Sequence, residues 1–181
     1  PQVEEIMQII VEEKVPLVFT SAGNPKTWTQ HLKSNGIKVV HVVSSSYFAQ
    51  KSAQAGVDAI VAEGFEAGGH NGREETTTLV LIPQVTKAVD IPVIAAGGIA
   101  TGAAMAACFA LGAEGVQIGT RFALTEESSA SDAFKSRCLS LAEGETVLSL
   151  KKVSPTRLIK NNFYEQVKDM EDRGASEDEM R

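Results

Sequence analysis

The sequence of 181 residues predicts an α/β fold built from repeated βα units. Short apolar runs alternate along the chain with stretches of helical periodicity, which is the order expected of strand–helix units. The apolar runs are continuous rather than alternating, as in parallel strands that are covered on both faces. Five such units in series fit either an open doubly wound sheet or part of a closed barrel.

Five parallel strands are predicted, with a helix before the first strand and a helix after each of the first four. A further polar region with two helical patches follows Phe122, and nothing in the chain marks a linker, so we expect one domain over residues 1–181. The strands are expected near 17–21, 38–43, 58–62, 92–96 and 115–118, and the helices near 3–13, 28–34, 48–55, 79–89, 101–111, 133–143 and 162–173.

The composition excludes several classes of protein. A net charge of −6 and a pI near 5.1 argue against nucleic-acid binding, which needs a basic surface. No apolar run has the roughly 20 residues of a membrane helix. Cys108 and Cys138 are too few for a zinc site or a disulfide framework, and we expect both as buried thiols. We therefore expect a cytoplasmic protein with a small-molecule substrate and no nucleic-acid or membrane partner; a homodimer is left open.

Two glycine-bearing strand ends are candidates for phosphate binding. Gly97 and Gly98 follow the fourth strand, and residues 117–120 end the fifth. Glycine lets a backbone N–H approach a phosphate closely, and the helix N-terminus that follows favours negative charge. The alternative is that these glycines only permit tight turns, but their spacing of one βα unit favours the phosphate interpretation.

His70 is the candidate catalytic residue, because it lies in a glycine-rich loop after the third strand. An imidazole that titrates near neutral pH can abstract or donate a substrate proton. His31 lies on a predicted helix and His41 inside a strand, so both are expected to be structural. Glu63 and Glu66 flank the same loop, where acid–base catalysis and helix capping are both open for them. A metal site at Glu66 and His70 lacks a third ligand at a recognisable spacing.

Five segments together resemble the nitronate monooxygenase family, formerly called 2-nitropropane dioxygenases, which includes the flavin-type enoyl-ACP reductases of bacteria. The resemblance covers nearly the whole chain, and the segments stand in the family's order. They are Ser21-Ala-Gly-Asn-Pro25, Glu66-Ala-Gly-Gly-His70-Asn-Gly, Pro92-Val-Ile-Ala-Ala-Gly-Gly-Ile99, Gly115-Val-Gln-Ile-Gly-Thr-Arg-Phe122 and Arg157-Leu-Ile-Lys-Asn161.

The resemblance implies a (β/α)8 TIM barrel with non-covalent FMN at its C-terminal rim and His70 as the catalytic histidine. It implies that this chain is the C-terminal portion, about the last five βα units with C-terminal helices. About three early strands, with the family's Gly-Gly-Met segment, are expected to lie outside a sequence that starts without Met. The residues that the resemblance places at FMN are Glu63, Gly68, Gly97, Gly98, Gln117, Ile118, Gly119 and Thr120, with residues 117–120 at the phosphate.

The expected activity is FMN-dependent nitronate monooxygenase, which oxidises nitronates or nitroalkanes with O₂ to carbonyl compounds and nitrite. The alternative is an FMN-dependent enoyl-ACP reductase that uses NAD(P)H, since both activities share these motifs. A non-enzyme alternative is an inactive fragment or a phosphate-binding barrel.

Overall fold

The main sheet consists of five parallel strands. A computed structural model describes residues 2–180 of the chain. The strands stand in the order β1-β2-β3-β5-β6, so each later unit adds to the same edge of the sheet. They are β1 (Leu17–Thr20), β2 (Lys38–Val43), β3 (Ala59–Glu63), β5 (Val93–Ala96) and β6 (Gly115–Gln117). This arrangement confirms the five predicted strands, whose observed bounds differ from the expected ones by at most one residue.

Nine helices lie among residues 2–180, and those between successive strands of the main sheet begin near the C-terminal ends of the strands. They are α1 (Val3–Glu12), α2 (Lys26–Ser34), α3 (Ser46–Gln54), α4 (Thr78–Thr86), α5 (Gly102–Ala110), α6 (Thr120–Ala123), α7 (Asp132–Leu139), α8 (Asn162–Asp172) and α9 (Glu177–Met180). The helices expected at 79–89 and 133–143 are shorter than predicted. The first ends at Thr86, and the second ends before Gly144, whose φ of +79° turns the chain into a strand.

The two faces of the main sheet bury different side chains. Val39, Ile60 and Ala95 face the helices and pack in the larger core cluster with Leu32 and Leu81. Residues one position along each strand, Val40, Val61 and Ala96, form a separate small cluster on the other face. Because neighbouring residues of a strand point to opposite faces, this second face is the inner face of the curved sheet. Each fully buried aliphatic side chain contributes about 1.5–3 kcal/mol to stability.

A second, three-stranded sheet was not predicted. It has the order β4-β8-β7, and both pairs are antiparallel. The strands are β4 (Gly69–His70), β7 (Thr146–Ser149) and β8 (Thr156–Ile159). β4 has only two residues, too few for a periodic pattern, and β7 and β8 lie in the polar region where only helices were expected.

The prediction that both cysteines are buried is confirmed for one of them. Cys108 is buried, but Cys138 on α7 is only partly buried, because that short helix carries no buried residue. Within residues 2–180, no helix combines the length and the apolar character needed to span a bilayer.

Candidate active site

The predicted site residues lie at one edge of the main sheet, because the carboxyl ends of parallel strands meet there. Glu63 is the last residue of β3, Gly97 and Gly98 follow β5, and Gln117 is the last residue of β6. Residues 64–72, here named the His70 loop, leave the sheet after β3 and contain β4. Residues 97–98 and 118–120 are named the glycine turns.

The His70 loop is attached to the main sheet by Glu66. Its carboxylate accepts hydrogen bonds from the backbone N–H of Thr78, at 3.0 and 3.1 Å, and from the Thr78 hydroxyl at 3.0 Å. Thr78 begins α4, and Thr77 before it makes no side-chain capping bond, so Glu66 supplies the cap from the loop. Of the two roles left open for Glu66, the structure therefore shows helix capping.

The β7–β8 hairpin holds the other side of the His70 loop. The Arg157 guanidinium donates two hydrogen bonds to the carbonyl oxygen of Phe65, from Nε at 3.0 Å and from Nη2 at 2.9 Å. It also lies 5.1 Å from the centroid of the Phe65 ring. His70 pairs with Thr156 in the antiparallel ladder, and Asn71 N–H donates to the Pro155 carbonyl at 2.8 Å. Sequence reasoning missed this support, although the segment from Arg157 to Asn161 had been noted as a motif.

A cavity of about 720 Å³ opens beside the loop. His70 is exposed and lines this cavity together with Asn71, Glu63 and Ser154. The imidazole of His70 therefore has access to a ligand, while its backbone is held by β8. This placement is the one that a catalytic histidine needs, but the role itself stays a prediction.

Burial shifts the pKa of two groups in this cavity. Burial raises the pKa of the half-buried Glu63 carboxyl, so its neutral form is favoured relative to an exposed glutamate. Burial lowers the pKa of His41, whose Nδ1 lies 2.7 Å from the Thr20 hydroxyl. His41 is thus a buried, hydrogen-bonded side chain, although it also lines the cavity. His31 is exposed on α2, with its ring 5.9 Å from that of Trp28.

The glycine turns have the backbone conformations that glycine permits. Gly97 and Gly98 have φ values of +101° and +68°. A Cβ on Gly97 would lie 2.6 Å from the Gly64 carbonyl oxygen, and a Cβ on Gly98 would lie 3.0 Å from Glu66 Cβ. The close packing of the β5 end against the His70 loop therefore requires glycine at both positions.

The second glycine turn is open. A Cβ added to Gly119 would meet nothing within 4 Å, and one added to Gly68 would lie 3.4 Å from Thr120 Oγ1. The backbone N–H groups of Gly98, Gly119 and Thr120 donate to no acceptor within residues 2–180. Unpaired backbone donors beside open space fit an oxyanion such as a phosphate, whose oxygens accept several hydrogen bonds. Neither turn lines the 720 Å³ cavity, so the two groups of residues form separate parts of one rim.

The residues thus fit a phosphate-bearing cofactor at the glycine turns, with reactive groups facing the neighbouring cavity. Residues 117–120, Gly98 and Gly68 would hold the phosphate end. A metal site has less support: no group of three or more His, Cys, Asp or Glu side chains in the described part of the chain could hold an ion.

Comparison with known proteins identifies the family. The family model described as "Nitronate monooxygenase" matches residues 2–180. The chain belongs to the nitronate monooxygenase family. Members of this family are oxidoreductases and, in general, flavoenzymes, as the resemblance of the five segments implied.

Individual relatives show the same family and the same barrel. A Staphylococcus saprophyticus protein named "Probable nitronate monooxygenase" is 35% identical over 182 aligned residues, covering 94% of this chain and 51% of that protein. The solved structure of FabK from Thermotoga maritima is 44% identical with a TM-score of 0.91, over 96% of this chain and 56% of that one. Nitroalkane oxidase from Streptomyces ansochromogenes is 31% identical with a TM-score of 0.80, over 91% of this chain and 50% of that one.

The nitronate monooxygenase fold of these relatives is a (β/α) barrel, of which the present chain forms a part. The chain spans about half the length of the known relatives that it matches. The predicted fold class is therefore confirmed.

Proposed function

We propose that the protein containing this chain is an FMN-dependent nitronate monooxygenase, which oxidises nitronates with O₂ to carbonyl compounds and nitrite. The observation that carries the proposal is the position of His70, with its backbone held by β8 and its ring lining a cavity at the carboxyl edge of the sheet. The second support is membership of the nitronate monooxygenase family.

The residues of this chain would divide the work as follows. FMN, when bound, supplies the redox chemistry and the reaction with O₂. The N–H groups of Gly98, Gly119 and Thr120 would bind the cofactor's phosphate. His70 would remove the proton next to the nitro group of a neutral nitroalkane, or donate a hydrogen bond to an oxygen of the nitronate anion. Burial raises the pKa of Glu63, which also lines the cavity that would hold the substrate.

A second candidate is an FMN-dependent enoyl reductase that uses NAD(P)H. The observation that favours it is the 44% identity to FabK, which exceeds the 31% identity to nitroalkane oxidase. In that reaction His70 would lie beside the thioester carbonyl of the substrate. Under both candidates, the cytoplasmic location and the small-molecule substrate stay predictions. Whether the protein forms a homodimer stays open.

Two absorption spectra separate these functions in the full-length protein that contains this chain. The purified protein should show a bound flavin, and a colourless protein that takes up no added FMN would support the non-enzyme alternative. Under anaerobic conditions, propyl-2-nitronate should reduce the flavin, and admission of air should release nitrite. Rapid bleaching by NADPH with no response to the nitronate would instead establish the reductase.

A further inference from the structure

The cavity beside His70 extends from the inner face of the sheet to its outer face. Glu63 lies on the inner face, because it is two residues from Val61 of the inner cluster. His41 lies on the outer face, between Val39 and Val43 of the larger core. Both residues line the same cavity, so a ligand that filled it would pass over the carboxyl end of β2.

The outer part of the cavity is lined by two lysines that have no acidic partner within residues 2–180. Lys26 begins α2, and its side chain forms no ion pair or hydrogen bond within residues 2–180. Lys51 lies on α3, with its Nζ 4.6 Å from the centroid of the Tyr47 ring. By contrast, Lys33 and Lys38 both pair with Asp58, at 3.3 and 3.0 Å.

The charges of the cavity therefore differ from those of the whole chain. Its lining contains the two lysines and a single acidic residue, Glu63, whose carboxyl is partly buried. The chain as a whole carries a net charge of −6, which disfavours anions at long range. Attraction of an anion must then arise locally, from Lys26 and Lys51.

The size of the cavity gives a second argument. A volume of about 720 Å³ is in the range of pockets that bind drug-sized molecules. Because the resemblance places Glu63 at FMN, the cofactor and a small nitronate beside His70 would share the inner part of this volume. The remaining volume reaches the two lysines, and it suits the tail of a longer substrate.

We propose that Lys26 and Lys51 form an anion-binding subsite, which selects elongated substrates with a negative charge remote from the reacting group. The subsite rests on the proposed function, since it assumes that the substrate reacts beside His70. Its two ammonium groups would bind a carboxylate or phosphate at the far end of the substrate. Lys26 and Lys51 are thus specificity-determining residues rather than catalytic ones.

The test compares two six-carbon nitroalkanes, one ending in a carboxylate and the other in the corresponding amide. Their dissociation constants are measured by calorimetry, without O₂, on the full-length protein whose flavin has been reduced beforehand, so that neither compound can react. The wild type should prefer the carboxylate by about tenfold, at the upper range for two exposed charge pairs. In each single variant, Lys26→Met or Lys51→Met, the ratio of the two dissociation constants should fall about threefold. In the double variant the two compounds should bind equally. Lys87→Met is the matched control, because Lys87 is exposed and lies outside the cavity lining.

Added salt should also reduce the preference of the wild type, since screening weakens exposed charge pairs. Equal binding of the two compounds by the wild type, or an unchanged preference in the double variant, would overturn the subsite. Binding is measured without turnover, so the outcome is separate from the proposed function. Failure of the full-length protein to oxidise either nitroalkane or its nitronate, together with a lysine-dependent preference in binding, would refute the monooxygenase and leave the subsite standing.

Discussion

The His70 loop and the glycine turns lie at the same edge of the sheet but differ in how their backbone groups are satisfied. In the loop, the Phe65 carbonyl accepts from Arg157, and Asn71 Nδ2 donates to the carbonyls of Ala67 and Gly69 at 2.9 and 3.0 Å. In the glycine turns, the N–H groups of Gly98, Gly119 and Thr120 donate to no acceptor within the described residues.

This contrast suggests that the protein itself determines the shape of one region and a ligand completes the other. A residue that acts on substrate benefits from a backbone that is already fixed, because orientation then costs nothing at the moment of reaction. A phosphate site needs free donors, since backbone groups that are already paired cannot bind an oxyanion. Each region can be altered separately, and the following predictions test the division.

The largest effect on cofactor binding is expected at Gly119. Gly119→Val should weaken FMN binding by about tenfold or more, because the side chain would occupy the space through which the phosphate approaches the N–H groups. The fold should tolerate the change, since a Cβ at this position meets nothing within 4 Å. Flavin content after purification, with thermal unfolding of the apoprotein, measures both effects.

Gly115→Ala is the matched control for this prediction. Gly115 lies at the other end of β6, where a Cβ would have an ordinary contact of 3.6 Å with Ile94. The control should keep its flavin. A Gly119→Val protein with full flavin content would mean that the second glycine turn does not bind the phosphate.

A smaller effect is expected at Arg157, which holds the His70 loop. Arg157→Ala leaves the Phe65 carbonyl without two hydrogen bonds, so we expect a loss of about 1–3 kcal/mol in the free energy of unfolding. Turnover should fall several-fold at unchanged flavin content, because His70 loses its support and the glycine turns do not. Urea denaturation and steady-state kinetics measure the two losses.

Arg173→Ala is the control for the arginine prediction. Arg173 is exposed, and its one ion pair within residues 2–180 is a long contact of 3.9 Å with Glu179. Its removal should therefore change stability by less than about 0.5 kcal/mol. If both variants were equally stable and equally active, the hairpin would have no role in holding the loop.

The smallest effect concerns Glu63, whose pKa is raised by burial. An acid with a raised pKa in the folded state makes its full contribution to stability below its ordinary pKa. That stability is lost as the pH rises through the folded-state value. Glu63→Gln should therefore equal the wild type near pH 4 and become the more stable protein at neutral pH. Urea denaturation at both pH values checks this, and a constant difference between the two proteins would contradict it.

The sequence predicted the parallel sheet better than the features that surround it. Apolar runs such as Val39–Val43 identify buried strands by themselves, because their pattern depends only on local burial. The hairpin could not be predicted, since β4 has two residues and its partner Arg157 lies far away in the chain. The sequence likewise could not show whether Glu66 acts in acid–base catalysis or caps a helix. Its hydrogen-bond partner Thr78 approaches it only in the folded protein.

The central claim is that His70 acts on the substrate and not on the cofactor, and one comparison of two substrates tests it most directly. In the full-length protein, His70→Asn should keep its FMN. Its rate of proton abstraction from neutral 2-nitropropane should fall by about 100-fold or more, the scale of general-base catalysis. Oxidation of the preformed nitronate should fall much less, because that substrate has already lost its proton. Equal losses on both substrates would reduce His70 to a binding residue, and no loss on either would contradict the account.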